Sequence, residues 1–308
     1  MTAWGKTERA IFGWFHGPLV IRNCNWKKFM KLAPGFYEHL PFADYQAIEA
    51  MNYSTLKWME RSPMAYRHNR DNPSEPTAPM LLGNAIHKAI LEPSLANFAV
   101  WPGPGIRAGN AFKDWCAINE GKTLLNQKEF DHVEGVARAV HANPLAHKYL
   151  RYVRAEVTMV WKNPSFKRDM KARIDAITDL EDEQYLVSLK STADCRDFRF
   201  ASQYAKFCYH AQDAIYQDGF FRLTGTLPRM VTIAVESKPP YESAVYSIPN
   251  DTLRQGQQLV SKWLERLAEC ERTNKWPPAV ESEQDLILPA WAAPGGDFEF
   301  EDLEPIER

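Results

Sequence analysis

Several polar residues in this chain are of the types that metal-assisted phosphodiester cleavage requires. His87 sits in LGNAIHKAILEP, Glu156 in RAEVTMVW and Asp175 in MKARIDAI. Lys190 closes YLVSLK, and Gln212 and Tyr216 lie in HAQDAIY. Acidic and imidazole groups can hold divalent ions, and a lysine can offset charge growing on the attacked phosphate. The same chemistry asks for a carboxylate two residues before the lysine, where the chain has Ser188.

These residues can act together only if the fold gathers them. Strands are expected over 155–161, 169–178 and 185–190, and again over 230–236 and 243–248. Helices are expected over 80–91, 110–120, 127–142, 198–223 and 251–272. Ser54 is expected to cap an earlier helix, and Ser62 followed by Pro63 reads as an N-cap and first-turn proline. Gly121 is expected to end the 110–120 helix, Pro144 to limit the next and Gly225 to close the 198–223 helix. The order is helices, then β-β-β-α-β-β-α, which argues for an α/β fold with a central mixed sheet flanked by helices and an N-terminal helical region. The sheet core is expected over about 155–272. Residues 1–33 read as an extension, 34–293 as the main domain, and 294–308 as an acidic, mobile tail.

Strand alternation sorts the side chains into faces. Met170, Ala172, Ile174 and Ala176 fall on one side, and Asp169, Lys171, Arg173 and Asp175 on the other. Leu186, Ser188 and Lys190 share a face of the next strand, so Ser188 and Lys190 are expected beside Asp175. Gln212 and Tyr216, four apart, share a helix face. Each residue alone has an ordinary reading: a strand-end carboxylate, a solvated lysine, a surface ion pair, a structural histidine. Their joint occurrence in this order is the specific signal.

Composition narrows the partners. The net charge of −2 is not that of a general nucleic-acid coating protein, so positive charge for DNA must be concentrated in a groove or channel. No run of about 18 apolar residues suggests a membrane span, and the start shows no secretory pattern. Five scattered cysteines, with no C-x-x-C pair, read as reduced thiols of a cytoplasmic protein.

The stretches LPFADYQAIEAMNYSTLKWMERSPMAYRH, LLGNAIHKAILEP, LKSTAD and YHAQDAIYQDGF resemble the phage-type recombination exonucleases of the exonuclease VIII (RecE) family, within the PD-(D/E)xK nuclease superfamily. The resemblance spans roughly 34–291. It implies that His87 and Asp175 ligate metal, that Glu156 lies near the metals, and that the backbone carbonyl of Leu189 is a further ligand. It implies that Lys190 positions or polarises the attacking water, and that Gln212 and Tyr216 support the site and contact DNA. It implies Mg2+, with Mn2+ as a substitute, and 5′-to-3′ resection of linear double-stranded DNA in a bacterial or phage-infected cell. It implies a ring-shaped homo-oligomer and a RecT-like single-strand annealing partner.

Ser188 departs from that pattern, since the family has a metal-binding aspartate there. A neutral hydroxyl is a poor ligand for magnesium, so activity is expected to be impaired. Three explanations stand: a deliberate substitution that traps a substrate complex, a natural loss that leaves a DNA-end-binding or annealase-recruiting protein, or another acid completing the site. The first is preferred because every other motif residue is intact. Ser188→Asp is then expected to give magnesium-dependent resection. Asp182 and Asp194 have no evident route into the position. Lys171 and Arg173, on the face of Asp175, are expected to touch DNA, as are Arg61 and Arg67 after the first helices. Arg107, before a helix start, could bind a terminal phosphate.

Overall fold

In a computed structural model of the protein, residues 30–103 and 107–288 are described. The acidic tail and nearly all of the expected N-terminal extension lie outside them. The chain opens with β1 (Gly35–Tyr37) and four short helices, α1 (Phe42–Ala47), α2 (Tyr53–Leu56), α3 (Trp58–Arg61) and α4 (Pro63–Asp71). Next come α5 (Ala78–Leu91), β2 (Phe98–Trp101), α6 (Asn110–Ile118), β3 (Thr123–Asn126), α7 (Gln127–Ala142) and α8 (Pro144–Leu150). The main strands are β4 (Arg154–Asn163), β5 (Arg168–Leu180) and β6 (Glu183–Thr192). Then α9 (Asp197–Lys206) and α10 (Tyr209–Thr224) lead to β7 (Arg229–Glu236), β8 (Ser243–Ile248) and α11 (Asn250–Thr273).

The sheet is mixed, in the order β1-β4-β5-β6-β7-β8, and β2 and β3 form a separate parallel pair. Neighbours in the main sheet are antiparallel except β6 and β7, whose parallel pairing requires a crossover; α9 and α10 supply it. Helices cover both faces, so the central strands are buried on both sides and carry near-continuous apolar runs. On one face Trp161, Met170 and Leu186 pack with Phe220 of α10 and Leu264 of α11. On the other, Ala176, Val187, Leu189 and Val235 pack with Ile86 of α5 and Val136 of α7.

Gly256 lets α11 approach α10 closely: a Cβ there would fall 2.1 Å from the carbonyl oxygen of His210. Ser62 accepts from Ala65 N at 3.0 Å, with Pro63 in the first turn, as expected. Gly225 ends α10 in the left-handed conformation, also as expected.

Other local expectations fail for identifiable reasons. Asn52, and not Ser54, caps α2, by accepting from Thr55 N. Asn119 caps the end of α6, and Gly121 lies beyond it. Pro144 does end α7, but a new helix, α8, starts at that proline, with Asn143 as its cap. The helix expected over 198–223 is two helices. The chain turns at Cys208, whose φ is 55°, and Tyr53 donates its hydroxyl to the carbonyls of Phe207 and Cys208 at 2.6 and 3.2 Å. The strand face also slips: Met170, Ala172 and Ile174 face the α10–α11 core, whereas Ala176 faces the α5–α7 core and Ile177 returns. Asp175 sits at that slip, opposite the irregular residue Glu156, whose φ is 51°.

Candidate active site

Asp175 keeps the face expected of it: it lines the same cavity as Arg173 and lies beside His87 of α5. Glu156, held in the left-handed region that a side chain rarely adopts, joins it there. His87 projects from the middle of α5, one turn after Gly83, where no neighbouring heavy atom lies within 4 Å of a would-be Cβ. Its Nδ1 is 3.7 Å from Asp175 Oδ1 and 4.0 Å from Glu156 Oε1. One ligand atom from each of the three residues falls within a mutual 4.8 Å, the spacing at which a single cation can be shared. All three line a cavity of about 480 Å³, together with Tyr45, Asn84, Arg173 and Tyr216.

Hydrogen bonds fix the orientation of both carboxylates. Leu189 donates its backbone N–H to Asp175 Oδ2 at 2.7 Å, which leaves Oδ1 on the side of His87. Arg173 donates to Glu156 Oε2 at 2.6 Å and to the carbonyl of Leu40 at 2.9 Å. Burial, and next the Asp175 charge, push the Glu156 carboxyl up, while Arg173 and His87 oppose the shift. A carboxyl raised by burial and a like charge would lose its proton to solvent when a cation binds beside it.

The remaining expected residues divide by position. Tyr216 lines the cavity and accepts from Gln212 Nε2 at 2.7 Å, and burial raises its hydroxyl well above the usual phenol range. Gln212 Oε1 is buried without a partner. Lys190 lies outside the cavity lining, with its ammonium 4.9 Å from the Tyr209 ring centroid. The Ser188 hydroxyl is engaged by another acid. It is buried against α10 and donates to Asp213 Oδ1 at 3.1 Å.

Sequence reasoning missed Asp213. The signal was present as an acid inside the Q-x-x-x-Y stretch, but only the tertiary packing shows that it meets Ser188.

Among the expected DNA contacts, Lys171 needs correction. Lys171 is only 4% exposed, and its ammonium donates to the carbonyls of Tyr45, Gln46 and Ile48 at 2.8, 3.2 and 2.8 Å. An ammonium has three N–H groups, so none remains for a phosphate, and Lys171 anchors the N-terminal segment to β5. Arg173 is committed to Glu156 and Leu40, and Arg107 pairs with Glu129 at the first turn of α7. Arg61 and Arg67 are exposed; Arg67 lies 5.3 Å from the Trp276 ring centroid and 3.8 Å from Asp71.

Comparison with known proteins agrees with this architecture. Residues 52–285 match the family model described as a PDDEXK-like domain of unknown function (DUF3799). No curated protein matches. Among solved structures, a candidate exonuclease from Eubacterium rectale aligns with 78% of this chain and 90% of its own, at TM-score 0.56 and 16% identity. A second, SSO0001, aligns with 66% of this chain and 89% of its own, at TM-score 0.28 and 13% identity. The mixed sheet, the acid–imidazole cluster at its irregular strands and the family match over most of the chain converge, and the protein belongs to the PDDEXK-like family DUF3799.

Proposed function

We propose that this protein is a divalent-cation-dependent exodeoxyribonuclease that resects linear double-stranded DNA from its 5′ ends. The observation that carries this reading is the meeting of His87, Glu156 and Asp175 on one cavity wall. One nitrogen and two carboxylates suit a hard divalent ion that completes its shell with water or phosphate oxygen. These three residues would hold magnesium, or manganese in its place. When bound, the ion would supply Lewis-acid stabilisation of the phosphate and a more acidic water.

The protein's own groups do the rest. The Leu189 amide keeps Asp175 in one orientation, and Arg173 keeps Glu156 in reach without neutralising the site. To Lys190, the residue after Leu189 on β6, we assign the offsetting of developing phosphate charge. Tyr216, with Gln212 donating to its hydroxyl, lines the α10 side of the cavity. Arg61 and Arg67 are the exposed cations we assign to the DNA backbone. The resemblance to exonuclease VIII extends the proposal to a ring of identical subunits that leaves 3′ single strands for a RecT-like annealing protein.

The test uses 5′-phosphorylated linear duplex with magnesium or manganese. The expected result is release of nucleotides from ends, sparing closed circles, with a loss of about 100-fold in Asp175→Asn. A chain inert with both ions, or Asp175→Asn cleaving as well as the parent, refutes the reading. Ser188 favours one alternative, a DNA-end binder without catalysis. It would be identified by retention of duplex ends with no cleavage under any of these conditions.

A further inference from the structure

Asp213 occupies a place where packing alone would select an apolar side chain. It is 0% exposed, in the stretch of α10 that lies against the sheet. Its Oδ1 accepts from Ser188 at 3.1 Å and its Oδ2 from Tyr204 at 2.6 Å. Both donors are neutral, and among the described residues no lysine or arginine forms an ion pair with it. A buried carboxylate so placed is costly unless an opposite charge acts on it. Burial pushes its carboxyl up, and the charge of Lys190 is the largest influence in the other direction.

Lys190 is two residues beyond Ser188 on β6, so the two side chains share a strand face. Its ammonium rests over the ring of Tyr209, in the first turn of α10. Lys57 repels it from the N-terminal helices, and burial lowers the Lys57 ammonium. Lys190 is thus seated over Tyr209, one helical turn before Asp213 on α10, and on the strand face of Ser188, which donates to Asp213. We infer that Asp213 is the positioning residue for Lys190: with Ser188 and Tyr204 it forms a buried acceptor post that draws the ammonium toward α10 at the end of β6. The negative charge beside the lysine is supplied by the helix, and Ser188 is the hydroxyl that a helix carboxylate needs as its donor. Ser188 is then a fitted residue and not a gap in the site. The inference rests on the nuclease reading only for the purpose of Lys190, not for its placement.

The test follows acetylation of Lys190 by acetic anhydride, read by peptide mass spectrometry, in the full-length protein. Asp213→Asn keeps the shape and removes the charge; Lys190 is expected to label about threefold faster or more. The exchange Ser188→Asp with Asp213→Ser returns a single carboxylate to the pair, and labelling should return to within about twofold of the parent. In duplex cleavage with Mn2+, Asp213→Asn should lower kcat about tenfold with KM unchanged. Unchanged Lys190 labelling in Asp213→Asn overturns the inference. If that variant does not fold, the exchange decides: fast labelling or misfolding of the exchange also overturns it. A parent chain inert on DNA, with the labelling response intact, removes the nuclease reading and leaves this one standing. Cleavage without a labelling response does the reverse.

Discussion

Ser188→Asp, made alone, should destabilise the protein rather than complete it. Ser188 Oγ lies 3.1 Å from Asp213 Oδ1, and both residues are buried, at 1% and 0% exposure. A carboxylate grown from position 188 would meet another at about 3–4 Å, a repulsion of about 4–5 kcal/mol at an effective dielectric constant of 20. The pair can escape by keeping one proton. Holding a proton at pH 7 on a group that ordinarily titrates near 3.9 costs about 1.36 kcal/mol per unit, or about 4 kcal/mol, so the two routes agree. The shared proton is bound in the folded state and released on unfolding. A raised acid pKa therefore gives stability that is present at low pH and lost as pH rises. Urea unfolding without divalent cation should show a deficit of about 4 kcal/mol at pH 7, shrinking to about 1–2 kcal/mol at pH 5. Adding Asp213→Ser should abolish the deficit. Equal stability of parent and variant at pH 7, or a deficit independent of pH, would refute the placement of Ser188 against Asp213.

Two further outcomes test the scaffold. Lys171→Met removes the donor to three backbone carbonyls and should cost about 2–4 kcal/mol in urea unfolding at pH 7. Burial depresses the Lys171 ammonium to about 8. The unfolded chain then binds more protons above that pH, so the parent should gain stability over the variant between about pH 8 and 10, and a constant gap would show that Lys171 titrates normally. Gly256→Ala would set a Cβ against a backbone oxygen that no rotamer change can move. We expect a loss of about 3 kcal/mol, measured by thermal unfolding, and a loss below about 1 kcal/mol would mean that α10 and α11 do not meet so closely.

Much of this architecture was legible because its signals are local. The alternation of Met170, Lys171, Ala172 and Arg173 marks a strand without reference to anything distant, and Ser62-Pro63 announces a helix start. The acid–imidazole set was legible from residue type, and the fold brings His87, Glu156 and Asp175 together. What failed depends on partners far along the chain. The break at Cys208 is supported by a hydroxyl from Tyr53, 155 residues earlier. Alternation placed Lys171 with the polar side chains, yet the backbone of α1 and the residues just after it surrounds its ammonium. The hydrogen bond from Ser188 to Asp213 was not legible, because it depends on how α10 packs on β6.

The backbone at Glu156 has a consequence for how the chain can change. A glycine would adopt that torsion at less cost, by about 1 kcal/mol, so a protein under selection for robustness alone would drift toward glycine there. A long acidic side chain at such a position places a carboxyl group in the cluster at the expense of backbone ease, so thermal hardening of this fold would begin by discarding that carboxyl.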